Sequence, residues 1–317
     1  MSEISVFFKK LFVSDKSADS ETTSLLSSLS AKNVEEIDDK DCILRVSYGT
    51  DVGFVRSNNE DSFYADGKCI HKFGESERDS YTDSTDGTHV FGLFDGMGGE
   101  DYGEAAAEIT ARTLSDFREK FTNADTDTFG TLMNLVCCIA SSNVCDMIQE
   151  RRAFAGGSTF TAVCLRDGSA YAYWIGDSRI YLFNRADGSL KQLTSDHTVA
   201  MAKLAMGEEP SPRDHHSLTH FIGMTKFGVN IAASACEPVK FGAGCALLLC
   251  SDGLTDMLTD DEIAEILTDS ADSPTSPAEN LIDGALACGG VDNVTCIVIE
   301  KEAKPAETPK NQGSETT

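Results

Sequence analysis

The 317-residue sequence predicts a layered α+β fold. Three observations carry this: short runs with strand periodicity open the chain, two long helical patterns follow, and strands then return in a cluster before two C-terminal helices. That grouping differs from the strict alternation of a doubly wound parallel sheet. Leu44, Val46 and Tyr48 alternate with Ile43, Arg45 and Ser47, predicting a first strand, and residues 62–65 predict a second. Residues 74–88 are acidic and rich in Ser and Thr, and read as a surface loop. Residues 89–94, His-Val-Phe-Gly-Leu-Phe, are a buried strand that ends at Asp95. Ala106, Ile109, Thr113, Phe117 and Phe121 recur at three or four residues, as do Phe129, Leu132, Val136, Ile139, Asn143 and Met147, giving two long helices. Strands are expected at 159–165, 170–175 and 179–183, with Asp167-Gly168 and Asp187-Gly188 as turns. Residues 194–228 lack a period, carry Pro210, Pro212, His215, His216 and His220, and read as an irregular, mobile flap. Strands resume at 229–235 and 245–250. The capping box Thr259-x-x-Glu262 opens a helix to about Leu267, Pro277 starts another, and residues 294–300 form the last strand.

Outside this body, residues 1–41 read as an N-terminal extension with an acidic linker, because 14–41 hold too little apolar surface to offset the entropy of ordering. The patch Phe7, Phe8, Leu11 and Phe12 reads as a helix folded onto the domain in preference to a docking segment. Residues 302–317 read as a disordered tail, leaving one domain at 42–301. The 52 acidic against 26 basic residues give a net charge of -26. Such a field repels nucleic acid and anionic lipid, so no nucleic-acid partner and no stable membrane insertion are expected. It also repels phosphorylated substrates, unless bound cations invert the potential locally. Eleven cysteines without a Cys-x-x-Cys pair, several inside apolar runs, indicate small core hydrophobes in a reducing, cytoplasmic compartment.

The acids stand at strand ends. Asp95 follows the run Val90 to Phe94 and precedes Gly96, and Asp252 follows Ala246 to Ser251 and precedes Gly253. Asp177 follows a strand in Gly176-Asp177-Ser178-Arg179, and Asp292 lies just before the last one. An Asp-Gly pair alone is more often a plain turn. Four such acids together repel one another unless cations neutralise them, and oxygen ligands of this kind suit Mg²⁺, Mn²⁺ or Ca²⁺ better than zinc. Upstream, Arg56-Ser-Asn-Asn-Glu60-Asp61 adds a cation and two further acids.

The segments Gly53-Phe-Val-Arg-Ser-Asn-Asn-Glu-Asp61, Phe94-Asp-Gly-Met-Gly-Gly99, Gly157-Ser-Thr159, Trp174-Ile-Gly-Asp-Ser-Arg179, Leu193-Thr-Ser-Asp-His197, Ser251-Asp-Gly-Leu-Thr-Asp256 and Asp292-Asn293 resemble, in order, the metal-dependent type 2C family of protein serine/threonine phosphatases, in its bacterial branch. The likeness runs over about residues 44–300. It implies a four-layer α/β/β/α fold with a central antiparallel β-sandwich flanked by helices, a monomer, and phosphoprotein substrates of serine/threonine kinases. It implies two Mn²⁺ or Mg²⁺ ions: Asp95 bridges them, the Gly96 carbonyl and Glu60 complete one shell, and Asp252 and Asp292 hold the other ion. Asp61 would support the first shell, and Arg56 would bind the phosphate. Attack would come from a hydroxide bridging the metals. Asp177 and Asp252, with Asp256 as a candidate third ligand, would form a third site; alternatively Asp177 pairs with Arg179 or caps a turn. Met97 and Glu100 occupy positions where family members carry a histidine, which leaves the general acid undefined. His197 is a candidate helper, although a lone loop histidine is more often structural.

Overall fold

The computed structural model describes residues 41–70, 76–97, 102–152, 156–224 and 231–304. The extension and linker up to residue 40, residues 305–317 of the expected tail, and Gly98, Gly99 and Glu100 lie outside the described residues, whereas Glu302 and Ala303, also expected in the tail, continue the last strand, paired with Ile43 and Cys42. Six strands form one antiparallel sheet: β1 (Cys42–Asp51), β4 (Glu77–Ser84), β10 (Arg179–Asn184), β11 (Ser189–Gln192), β14 (Cys245–Cys250) and β15 (Val294–Ala303), in the order β11-β10-β14-β15-β1-β4. The second sheet has seven strands: β2 (Ser62–Ala65), β3 (Cys69–Ile70), β5 (His89–Phe94), β8 (Phe160–Arg166), β9 (Ser169–Ile175), β12 (Ser234–Ala235) and β13 (Val239–Lys240). Its order is β12-β9-β8-β5-β2-β3, with β13 also on β9. The short β6 (Gly96–Met97) and β7 (Gly157–Ser158) pair with each other.

Period-2 patterning makes the two sheets a sandwich. In β14, Leu247 and Leu249 face the inter-sheet core, while Ala246, Leu248 and Cys250 face the other way; in β15, Ile297 and Ile299 face in, and Cys296 and Val298 out. Phe91 and Leu93 of β5 meet that inner core from the opposite sheet, and Val90 and Phe94 turn outward. Each outer face is covered by helices. Over the seven-stranded sheet lie α1 (Gly103–Asp116), α2 (Arg118–Asn123) and α3 (Phe129–Glu150); the core there joins Ala107, Leu114, Phe129, Val136, Ala140 and Val144 to Tyr64, Phe94 and Phe160. Leu254 of α5 (Asp252–Thr255), Ile263 and Leu267 of α6 (Asp260–Asp269), and Leu281 and Ile282 of α7 (Pro277–Ala287) cover the other. Three apolar cores thus separate four layers, α/β/β/α, as expected. Helix α3 is long and apolar enough to cross a membrane by length and composition, yet one side of it forms part of this core. The ten cysteines other than Cys69 form no disulfide.

Some expectations are corrected. Residues 77–84 are an edge strand and not a loop: β4 pairs along β1 from Ile43↔Ser84 to Thr50↔Glu77. Backbone pairing creates this strand, and its polar, half-exposed residues suit an edge that must not attract other chains. The first long helix breaks at Phe117 (φ -93°, ψ -4°), which divides α1 from α2 and keeps both Phe117 and Phe121 in the core. The strand expected at 229–235 is limited to Ser234–Ala235, with 229 and 230 outside the described residues. The flap contains a helix, α4 (Val199–Ala205), whose N-cap Thr198 accepts from the Met201 amide at 3.3 Å. Thr198 also bridges Leu218, and Ser158 bridges Ile222.

Leu249 lies fully buried between the sheets. Leu249→Ala is expected to lower the unfolding free energy by about 2–5 kcal/mol in urea denaturation. Leu135→Ala, on the exposed side of α3, should cost less than about 0.5 kcal/mol.

Candidate metal centre

Antiparallel register sends the acids to one end of the sandwich. Asp51 pairs with Val294, Arg179 with Cys250, Ser62 with Phe94 and Phe160 with Ile175, so the residues beyond those positions converge. They line a cleft of about 460 Å³ that includes Arg56, Glu60, Asp95, Gly96, Met97, Thr159, Asp177, His216, Asp252, Asp256, Asp292 and Asn293. A larger cavity, about 860 Å³, lies among Arg45, Arg185, Ser276 and Glu300. There Arg185 pairs with Glu300, Arg45 with Glu302, and Lys301 Nζ donates to the Phe241 carbonyl, so acids and bases alternate.

Asp61 is buried behind the cleft, where its Oδ2 accepts from the Thr295 hydroxyl at 2.6 Å and the Ser251 hydroxyl at 2.9 Å. Thr50 and Asn59 extend this network: the Thr50 and Thr295 hydroxyls are 2.7 Å apart, and Asn59 Nδ2 donates to Thr50 at 2.7 Å. Burial still pushes the Asp61 carboxyl up to about 7, the two hydroxyls opposing it. Burial and the neighbouring Asp61 and Asp252 hold Asp95 well above the carboxylate range. Burial, then Asp252 and Asp196, push Asp177 up to about 8; burial, then Asp256 and Asp292, push Asp252 up to about 6.

The backbone around Asp95 is fixed by Thr159, whose hydroxyl accepts from the Asp95 amide at 2.9 Å and whose amide donates to the Asp95 carbonyl at 2.8 Å. Gly96 follows in a space that admits no side chain: a Cβ there would lie 2.3 Å from the Gly103 carbonyl oxygen and 2.4 Å from that of Glu60. Asn293 clamps the opposite loop, accepting from the Glu60 amide at 2.8 Å and donating to the carbonyls of Asn58 (2.8 Å) and Val52 (3.0 Å). Arg56 Nη2 donates to Asp292 Oδ2 at 2.6 Å, with the guanidinium half-exposed in the cleft.

Every acid named from the sequence therefore stands in or directly behind one cleft. Arg179 is engaged by both oxygens of Asp196, so the alternative of an Asp177–Arg179 pair is not the arrangement found. His197 braces the Asp177 turn instead of lining the cleft: Nδ1 accepts from the Gly176 amide at 3.2 Å, Nε2 lies 3.0 Å from Ser234 Oγ, and the ring stacks on Trp174. Sequence reasoning gave no role to Thr50, Asn59, Thr159, Ser251, Asn293 or Thr295, whose hydroxyls and amides resemble any others until the strands are assembled. It also assigned nothing to His216, which lines the cleft with Nδ1 3.7 Å from Asp256 and groups with Asp252 and Asp256 within 4.8 Å. Three histidines in an otherwise irregular stretch were the available signal.

A family model described as "Protein phosphatase 2C" matches residues 67–286. A putative protein phosphatase 2C-type of Streptococcus pyogenes is 32% identical over 273 residues, covering 83% of this chain and 100% of that protein. The serine/threonine protein phosphatase PstP of Mycobacterium tuberculosis is 30% identical, covering 81% of this chain but only 45% of PstP. The crystal structure of the catalytic domain of PstP with two manganese ions superposes with a TM-score of 0.63 at 29% identity, covering 82% of this chain and 99% of that one. With its acids gathered at one end of a four-layer sandwich and these matches spanning most of its length, this chain belongs to the protein phosphatase 2C family.

Proposed function

We propose that this chain hydrolyses phosphoserine and phosphothreonine in protein substrates, in a cleft whose carboxylates hold two Mn²⁺ or Mg²⁺ ions. The observation that carries the reading is the convergence of Asp95, Asp252 and Asp292 with Glu60 and the Gly96 backbone beside the guanidinium of Arg56. The donor set fits the ions. It consists of carboxylate and carbonyl oxygens, the ligands hard cations prefer, and its buried acids need positive charge nearby to stay ionised at neutral pH. The names of the relatives and the manganese in the PstP crystal structure support both the substrate class and the metal.

In this reading Asp95, Glu60, the Gly96 carbonyl, Asp252 and Asp292 would hold the two ions. Asp61, tied to Ser251 and Thr295, stiffens the set from behind. Asp177, Asp252 and Asp256 would hold a third ion. Bound ions would supply Lewis-acid activation of water and neutralise phosphate charge. Arg56 grips the phosphate with its fork of donors, which number five and exceed what one contact to Asp292 uses, and so stabilises charge on the non-bridging oxygens. Met97 carries no titratable group and moves no proton. A monomeric, cytoplasmic enzyme opposing serine/threonine kinases completes the reading; free, partly buried thiols suit a reducing compartment.

Hydrolysis of an aryl phosphate is expected to require added Mn²⁺ or Mg²⁺ and to vanish with chelator; full activity of metal-stripped protein would overturn the proposal. Asp95→Asn should lower kcat by about 10²–10³-fold or more and remove at least one ion by elemental analysis. By contrast, Arg56→Ala should keep the metal content, raise KM and lower kcat, and lost metal would give Arg56 a structural role instead. The acids also set a pH dependence. Asp61, Asp177 and Asp252 have folded values near 7, 8 and 6 against an ordinary 3.8, so between these limits the folded state binds more protons than the unfolded chain. Stability of the metal-free protein therefore falls as pH rises through that window. Its Tm should be higher at about pH 5 than at about pH 8, with Mn²⁺ raising Tm more at the higher pH; the reverse order in differential scanning fluorimetry would contradict it.

A further inference from the structure

The loop that carries Arg56 exposes carbon where loops ordinarily expose polar groups. Phe54 and Val55 are 72% and 68% exposed, and Val291, beside Asp292 in the facing loop, is 45% exposed. The two loops are locked together. Gly53, at φ +75°, passes so close that a Cβ would lie 2.4 Å from the Asp292 carbonyl oxygen, and the Phe54 amide donates to the Gly290 carbonyl at 2.7 Å. The Phe54 ring edge comes to rest against Gly290. Val291 itself lines the cleft, and Phe54 and Val55 directly precede Arg56, which lines it too, so the three apolar side chains stand on the two locked loops that carry Arg56 and Asp292. On the other side the cleft continues into a recess lined by charged groups of both signs, Asp177, Asp196, Asp252 and Asp256 with Arg179, His215 and His216. A chain laid across the centre meets carbon on one side and charged groups on the other.

We propose that Phe54, Val55 and Val291 form an apolar subsite that receives an uncharged, apolar side chain flanking the phosphorylated residue of the substrate, an inference that rests on the phosphatase reading above. The occupant follows from continuity with the phosphate-binding Arg56. It follows also from the loop's rigidity, which lets the rim bind without an ordering cost. Apolar contact is in addition insensitive to the net charge of -26 that repels acidic flanks.

The test uses the full chain with Mn²⁺ and two phosphothreonine peptides that differ only in having leucine or serine on both sides of the phosphothreonine. The wild type should favour the leucine-flanked peptide in kcat/KM by roughly fivefold or more, as expected for partial burial of one aliphatic side chain. The double variant F54S/V55S should reduce that preference to less than about twofold, by loss on the leucine-flanked peptide, whereas Phe54→Leu should retain it. Absence of a preference in the wild type, or an undiminished preference in F54S/V55S, would overturn the subsite. A concentration-dependent dimer abolished by F54S/V55S in sedimentation would assign the rim to self-association and overturn it equally. If neither peptide is hydrolysed, the phosphatase reading fails. Fluorescence anisotropy of the labelled peptides then decides the subsite separately: tighter binding of the leucine-flanked peptide supports it, and equal binding overturns it.

Discussion

The mutual repulsion of carboxylates gathered at one dehydrated end of the sandwich is the constraint around which the rest is organised. Asp61, Asp95, Asp177 and Asp252 are each driven above the ordinary carboxylate range chiefly by burial and further by one another. Left to relax, such groups would turn toward water or take up protons. Here their freedom is removed by the backbone: Thr159 holds both the amide and the carbonyl of Asp95, Gly96 packs between two carbonyls, and Asn293 fixes the loop of Glu60. Carboxylates held together in this way favour divalent cations, because each ion would relieve the repulsion that assembly imposed.

The sandwich supplies the stiffness that this arrangement needs. Leu247, Leu249, Ile297 and Ile299 from one sheet and Phe63, Phe91, Leu93 and Val163 from the other form one close-packed layer whose strands end at the cleft. The buried hydroxyl network of Thr50, Ser251 and Thr295 then ties β1, the end of β14 and β15 to Asp61, converting sheet register into carboxylate position. Around the cleft, the apolar residues on the Arg56 side and the charged recess on the α4 side are two chemically different walls. The excess of negative charge is thereby concentrated where cations would offset it, and Arg56, paired with Asp292 through one nitrogen, keeps its guanidinium half-exposed in the cleft.

Within the chain, the sequence by itself determined most of the strands and helices, because their apolar residues repeat at periods of about 2 and 3.6 that only those backbones satisfy. It also singled out Asp95, Asp177, Asp252 and Asp292, since an acid at the end of an apolar run must emerge at the edge of a sheet. Tertiary structure alone decided the rest. Strand β4 exists because β1 offers it hydrogen bonds, which no composition of Arg78, Asp79 and Ser80 announces. The partners of Asp61 are 190 and 234 residues away in sequence, His216 reaches the cleft through the fold of its own segment, and Phe54 meets Gly290 across two loops. Local periodicity is written residue by residue, but which hydroxyl faces which carboxylate depends on the register of distant strands, and that is settled only when the whole sandwich closes.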